Sequence, residues 1–213
     1  MPTITFIAGP DQDSQGNLTP LGETQAEGFA KLAKKREDLY TVIMTGEKAH
    51  ARRARDIIIQ TLGLQSIGGS SPGQKVQPAD SKGLDGSDYI PINFKTDLLS
   101  ASERLGLAPL EAYCEFCSQA LLYEGREGAK SIRRFTNAGN YVKHMLIIGR
   151  PIFINQLVLS FFGDGMPIKM REQIITDAPL EPMTGYRFDI VDERWGLPTS
   201  MEQVGWNELV GAS

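Results

Sequence analysis

The sequence predicts a three-layer α/β/α sandwich built on a mainly parallel sheet. Short, apolar, β-branched runs that stop at glycine alternate with longer stretches of helical periodicity, and the connections between them are short. That order builds βαβ units and a parallel sheet. With 213 residues, the chain is long enough for one α/β domain with a sizeable core.

Thr3 to Ala8 (TITFIA) reads as a buried strand that stops at Gly9-Pro10. After the polar loop DQDSQGN, Thr19 is placed as an N-cap with Pro20 at the first helical position. Ala26, Phe29, Ala30 and Ala33 then give one apolar helix face, and Lys34, Lys35 and Arg36 close it where cations complement the helix dipole. Tyr40 to Met44 is a second strand ending at Thr45-Gly46. A second helix follows, with Ala54, Ile57, Ile58, Thr61 and Leu62 on one face and Gly63 as its stop. Residues 65–92 are dense in Gly, Ser and Pro and are expected to be a surface insertion within a single domain spanning 1–213. Leu110 to Tyr123 is predicted to be an amphipathic helix, with Tyr113, Cys114, Cys117, Ala120 and Leu121 along its stripe. Met145 to Gly149 is a third buried strand; it turns at Arg150-Pro151 into a helix that buries Ile154, Leu157, Val158 and Phe161. Tyr186 to Val191 alternates and is expected to be the final, more exposed strand, with Trp195 and Trp206 as packing anchors in the tail.

The bulk properties exclude several functions. A net charge of −4 argues against a nucleic-acid partner, because phosphate backbones are gripped by an excess of Lys and Arg. No apolar run is long enough to span a membrane, and the first residues carry no basic region of a signal peptide. With two cysteines there is no disulfide framework, so a cytoplasmic location is expected. Cys114 and Cys117 lie within the predicted helix rather than at its N-terminus and read as core residues, not a redox or zinc pair. Asp11, Asp13, Asp85 and Asp88 match no calcium loop and read as turn residues. No metal or cofactor site is expected, and neither phosphate-binding glycine motif of nucleotide enzymes is present.

Ligands of open α/β sheets bind beyond the carboxyl ends of the parallel strands. Those ends are Ala8-Gly9-Pro10, Thr45-Gly46 leading to His50, and Gly149-Arg150-Pro151. Helix starts and the charges of His50, Arg52, Arg53 and Arg150 there suit an anion.

Ile4 to Leu64, with LTPLGETQAEGFA and AHARRARDIIIQTLGL, resembles the opening of the histidine phosphatase (phosphoglycerate mutase-like) superfamily. Leu18, Thr19, Gly22, Gln25 and Ala26 match its Leu-Thr-x-x-Gly-x-x-Gln-Ala motif position for position. MLIIGRPIFINQLVLSFFG and LEPMTGYRFDIVDERW are similar to the later strand–helix unit and the last strand, whereas residues 65–110 match poorly. The resemblance implies the histidine phosphatase fold and a phosphoryl-transfer site. The family's Arg-His-Gly triplet, whose histidine is the nucleophile, falls on Ala8-Gly9-Pro10. Its phosphate-clamping arginine falls at His50, and its second histidine at Arg150. Its proton donor has no clear counterpart; Glu103 and Asp97 are the candidates. Glycine has no side chain to phosphorylate, so the usual mechanism is lost and no catalytic residue is expected.

The chain is therefore expected to be a catalytically inactive relative. Its ligand-binding residues would be Gly9, Pro10, His50, Arg53 and Arg150, and its partner a phosphorylated or anionic small molecule, or a protein, at the cleft. Two other readings stand beside it: a metal-independent phosphomonoesterase rebuilt around His50 and Arg150, and a purely structural or oligomerisation module. His50 would aid anion binding only when protonated.

Overall fold

The computed structural model describes residues 1–67, 74–85, 103–107, 109–137, 143–178, 180–191 and 197–206. Seven strands form one sheet: β1 (Thr3–Ala8), β2 (Val42–Thr45), β3 (Gln65–Ser66), β4 (Lys75–Asp80), β5 (His144–Gly149), β6 (Thr184–Ile190) and β7 (Pro198–Gly205), in the order β3-β4-β2-β5-β1-β6-β7. The pairings from β3 across to β1 are parallel, and those of β6 with β1 and β7 are antiparallel.

Side chains on a strand alternate between faces, and β1 shows the consequence. Ile4, Phe6 and Ala8 enter one core, with Val158, Phe161 and Phe188, while Ile7 enters the other, with Phe29 and Ile58. Helices α1 (Pro20–Lys35) and α2 (Ala49–Leu62) cover the second face. The first is covered by α3 (Pro109–Asn137), α4 (Pro151–Phe162) and α5 (Ile168–Thr176). Both faces are covered, so the central strands are mostly apolar, with Thr5 and Thr45 as buried exceptions.

The Leu-Thr-x-x-Gly-x-x-Gln-Ala segment has a physical explanation. Thr19 Oγ1 accepts from Gly22 N at 3.0 Å as the N-cap of α1, and donates to Asp11 Oδ2 at 2.8 Å. A Cβ on Gly22 would stand 2.3 Å from the Asp11 carbonyl oxygen. Gln25 Oε1 accepts from Asp11 N at 2.9 Å. The motif therefore seats the loop that leaves β1 directly on the first turns of α1.

Three expectations are corrected. Residues 65–92 are not all surface excursion, because Lys75–Asp80 is a strand of the sheet beside β2. Pro78 obscures it, but Gln77 and Ser81 donate to the carbonyls of Thr41, just before β2, and Thr45 at its end, so by alternation Pro78 presents its missing donor to the other side. There β3 is only two residues long and pairs no further than Val76. The helix expected over 110–123 runs on to Asn137 through two glycines. A Cβ on Gly125 would lie 2.6 Å from Ser160 Oγ, and one on Gly128 would lie 2.8 Å from Leu157 Cδ1, so close packing on α4 requires both glycines. Finally, β6 is neither last nor exposed. Tyr186, Phe188 and Ile190 are fully buried, and β7 covers its outer edge. Trp206 packs against Gly28 of α1, whereas Trp195, Asp88 and Asp97 lie outside the described residues, as do the side chains of Cys114 and Cys117. Among the described residues no helix is long and apolar enough to cross a membrane.

Candidate functional site

Because β5 lies between β1 and β2 and runs parallel to both, the carboxyl ends of the three strands are side by side. The chain leaves β1 and β2 toward the α1–α2 face and leaves β5 toward the opposite face, which opens a crevice between them. The resulting cleft has a volume of about 330 Å³ including its open mouth, and is lined by Gly9, Pro10, Gln12, Gly46, His50, Ala51, Leu84, Asp85, Ile148, Gly149 and Arg150. Gly9, Pro10, His50 and Arg150 are thus brought together as the strand ends predicted.

Each wall has a local cause. Gly9 N donates to the Gly149 carbonyl at 2.6 Å, tying the end of β1 to the end of β5. Arg150 is the N-cap residue of α4, with Pro151 at the first helical position, and is half-buried. Among the described residues it makes no ion pair. His50 stands in the first turn of α2, whose N-cap residue Lys48 supplies no side-chain cap. The cap comes instead from Asp85, whose Oδ1 accepts from Lys48 N at 3.1 Å. This carboxylate lies over Gly46, where a Cβ would fall 2.1 Å from Asp85 Oδ1.

Partial burial holds the His50 imidazole below its ordinary pKa; the Arg150 and Lys48 charges push the same way, against the Gly16 backbone and Asp85. His50 is therefore a neutral imidazole at neutral pH, and the cationic role foreseen for it is confined to acid.

Arg53 is not brought to the cleft. It stands about 4.5 Å further along α2 than His50, beside α1, where its Nε and Nη2 each donate to Glu23 Oε1 at 3.1 Å. It is exposed and does not line the cleft. Arg52 likewise turns to Asp80, at 3.0 Å. Glu103 is exposed and also does not line the cleft.

Sequence reasoning missed Gln12 and Asp85. From sequence Asp85 reads as a turn residue, because the strand before it carries Pro78 and looks like a loop. A strand in KVQPAD lying parallel to β2 delivers its following turn to the same carboxyl edge, and that was the available signal. His144 is at the other end of the sheet, where Nδ1 is 2.8 Å from Thr3 Oγ1, about 16 Å along β5 from the cleft. Among the described residues no group of three or more His, Cys, Asp or Glu could hold a metal.

A pH dependence follows from the two histidines. Burial is the first cause of a lowered pKa at both His50 and His144. The unfolded chain therefore binds more protons than the folded one just below the ordinary histidine value of about 6.5. Their contribution to stability is complete above that pH and is lost as pH falls through the folded values. The melting temperature is expected to drop between about pH 7.5 and 5.5, and the drop should shrink in a His50→Gln, His144→Gln double variant. An identical drop in that variant would assign it to other groups.

No family model matches the chain, and no curated protein matches it. Solved structures do match in three dimensions. A mycobacterial glucosyl-3-phosphoglycerate phosphatase in complex with VO3 aligns over 95% of this chain and 97% of its own, with a TM-score of 0.61 and 12% identity. The protein histidine phosphatase SixA complexed with tungstate aligns over 97% and 99%, with a TM-score of 0.55 and 11% identity. The phosphoserine phosphatase of Entamoeba histolytica, in complex with 3-phosphoglyceric acid, aligns over 95% and 97%, with a TM-score of 0.53 and 15% identity. With a sheet of this order, helices on both faces and a cleft at the carboxyl ends of β1, β2 and β5, the chain has the histidine phosphatase fold.

Proposed function

We propose that this chain acts as a single cytoplasmic domain that has given up histidine phosphatase catalysis and binds an anionic or phosphorylated small molecule in the cleft, without metal or cofactor. The same face would serve a protein partner that presents such a group. The observation that carries the reading is the pairing at the ends of β1 and β5. Gly9 stands where the resemblance requires the nucleophilic histidine, and its N–H is already engaged by Gly149. Beside it, Arg150 faces a partly enclosed cleft with no ion-pair partner among the described residues. An arginine so placed binds phosphate or carboxylate oxygens through two parallel N–H groups. Two of the structural neighbours are complexed with oxyanions, VO3 and tungstate, which supports an anionic ligand for a protein of this fold.

One observation favours the rebuilt phosphomonoesterase. His50 shares the cleft with Arg150 and is neutral at neutral pH, the form in which an imidazole is nucleophilic.

The test is phosphate release from a panel of phosphomonoesters between about pH 5 and 8, run beside tungstate titrations of the parent, His50→Ala and Arg150→Ala. No turnover is expected from any of them. Tungstate affinity is expected to fall roughly 30-fold or more in Arg150→Ala, the lower range for truncating one partner of a partly buried charge pair. Turnover abolished by both substitutions would replace the binding reading with a rebuilt active site. Tungstate binding indifferent to Arg150 would remove the anion cleft and leave the structural module.

A further inference from the structure

We propose that Asp85 sets the ligand class of the cleft, so that it takes a zwitterion, with the anionic group on Arg150 and an ammonium group beside Asp85, and turns away a bare dianion. The inference rests on the anion-binding reading above.

The starting point is the place of the Asp85 carboxylate. The N-terminus of a helix attracts anions through its free N–H groups and its dipole. In this cleft that location is already taken by a resident carboxylate, with Asp85 Oδ1 on Lys48 N at 3.1 Å. The seat is shaped for it, since any side chain on Gly46 would begin 2.1 Å from that oxygen. The turn that carries Asp85 is anchored by Leu84, which is 1% exposed, so the carboxylate is held at the cleft wall rather than on a free loop.

Asp85 forms no ion pair among the described residues, and its contact with Lys48 is to a main-chain N–H. Arg150 likewise has no ion-pair partner there, and both residues line the one cleft. They act on His50, which lines the same cleft, with opposite sign. Two opposite charges that line one cleft and have no ion-pair partner among the described residues are complementary to a ligand that carries both. A dianion in the same cleft instead meets the Asp85 carboxylate, and like-charge juxtaposition disfavours binding. Specificity of this kind comes from a repulsive element as much as from an attractive one. The cleft is shallow and open at its mouth, so the ligand class is set by the two charges, as in an aminoalkyl phosphate or an amino acid, and not by enclosure.

The experiment is calorimetric titration with two probes that share a phosphate and differ in one group, phosphoethanolamine and ethyl phosphate. The parent is expected to bind phosphoethanolamine at least about tenfold more tightly than ethyl phosphate. Asp85→Asn should bring the two within about twofold of each other, chiefly by gaining affinity for ethyl phosphate. Gly46→Ala should move the ratio the same way, because its methyl group displaces the carboxylate, and it carries the test if Asp85→Asn does not fold. Equal binding of both probes by the parent, lost in Arg150→Ala, would overturn the role of Asp85 and leave the anion cleft standing. A preference that survives both Asp85→Asn and Gly46→Ala would overturn it too. Absence of binding by the parent and every variant would overturn the anion-binding reading and this inference with it.

Discussion

Gly185→Ala is expected to destabilise the chain by about 3 kcal/mol or more, or to prevent folding altogether. Gly185 lies in β6 opposite Ile7, and a Cβ there would sit 1.9 Å from the Phe6 carbonyl oxygen and 2.8 Å from Ile7 Cα. Both atoms are backbone in a central strand, so no flexible side chain can yield; relief requires β1 and β6 to separate. Gly63→Ala provides the contrast. Gly63 closes α2 at φ 71° with nothing near its missing Cβ, so alanine there meets only the left-handed backbone penalty of about 1–2 kcal/mol. Urea denaturation of the two variants checks the pair. A Gly185→Ala protein as stable as Gly63→Ala would show that β1 and β6 are not packed as closely as described. Because β1 delivers Gly9 and Pro10 to the cleft, a folded remnant of Gly185→Ala should also bind tungstate more weakly.

Phe6→Ala carries the second large effect, a loss of about 4 kcal/mol with the denaturant slope unchanged. Phe6 is fully buried at the centre of an aromatic cluster, with ring centroids 5.7 Å from Phe161, 6.2 Å from Phe162 and 6.1 Å from Phe188, all edge-on. Truncation removes the transfer free energy of the ring and leaves a cavity walled by three stiff rings that cannot close over it. The edge-on contacts add a smaller contribution beyond burial. A loss below about 1 kcal/mol would mean that this cluster collapses freely and is not the organising core.

The same residues show which features were legible in the chain. The alternation Ile4, Phe6, Ala8 against Ile7 marks a strand buried on both faces without reference to anything else. The cap at Thr19, the helix face at Ala26, Phe29, Ala30 and Ala33, and the left-handed stop at Gly63 are all local. Each depends on residues within a few positions of one another, so each was read correctly. The strand ends that meet at the cleft follow from the same local elements once a parallel sheet is accepted. Gly9, Pro10, His50 and Arg150 therefore line one cleft.

Where reading failed, the cause was a neighbour distant in sequence. The strand containing Pro78 reads as a loop until β2 pairs with one side of it and β3 stops short on the other. The helix predicted to end at Tyr123 runs on through Gly125 and Gly128 because α4 presses against both. Arg53 looks like a phosphate ligand until Glu23, thirty positions earlier, takes its guanidinium.

By itself the sequence determined the fold class and the residues at three strand ends, because these depend on periodicity and residue type alone. The tertiary structure decided the electrostatics of the cleft. It withdrew Arg53 to α1, lowered the pKa of His50 by burial and set the Asp85 carboxylate over Gly46. Those outcomes depend on distances between elements far apart in the chain, and charge interactions are set by such distances and by burial, neither of which a local pattern records.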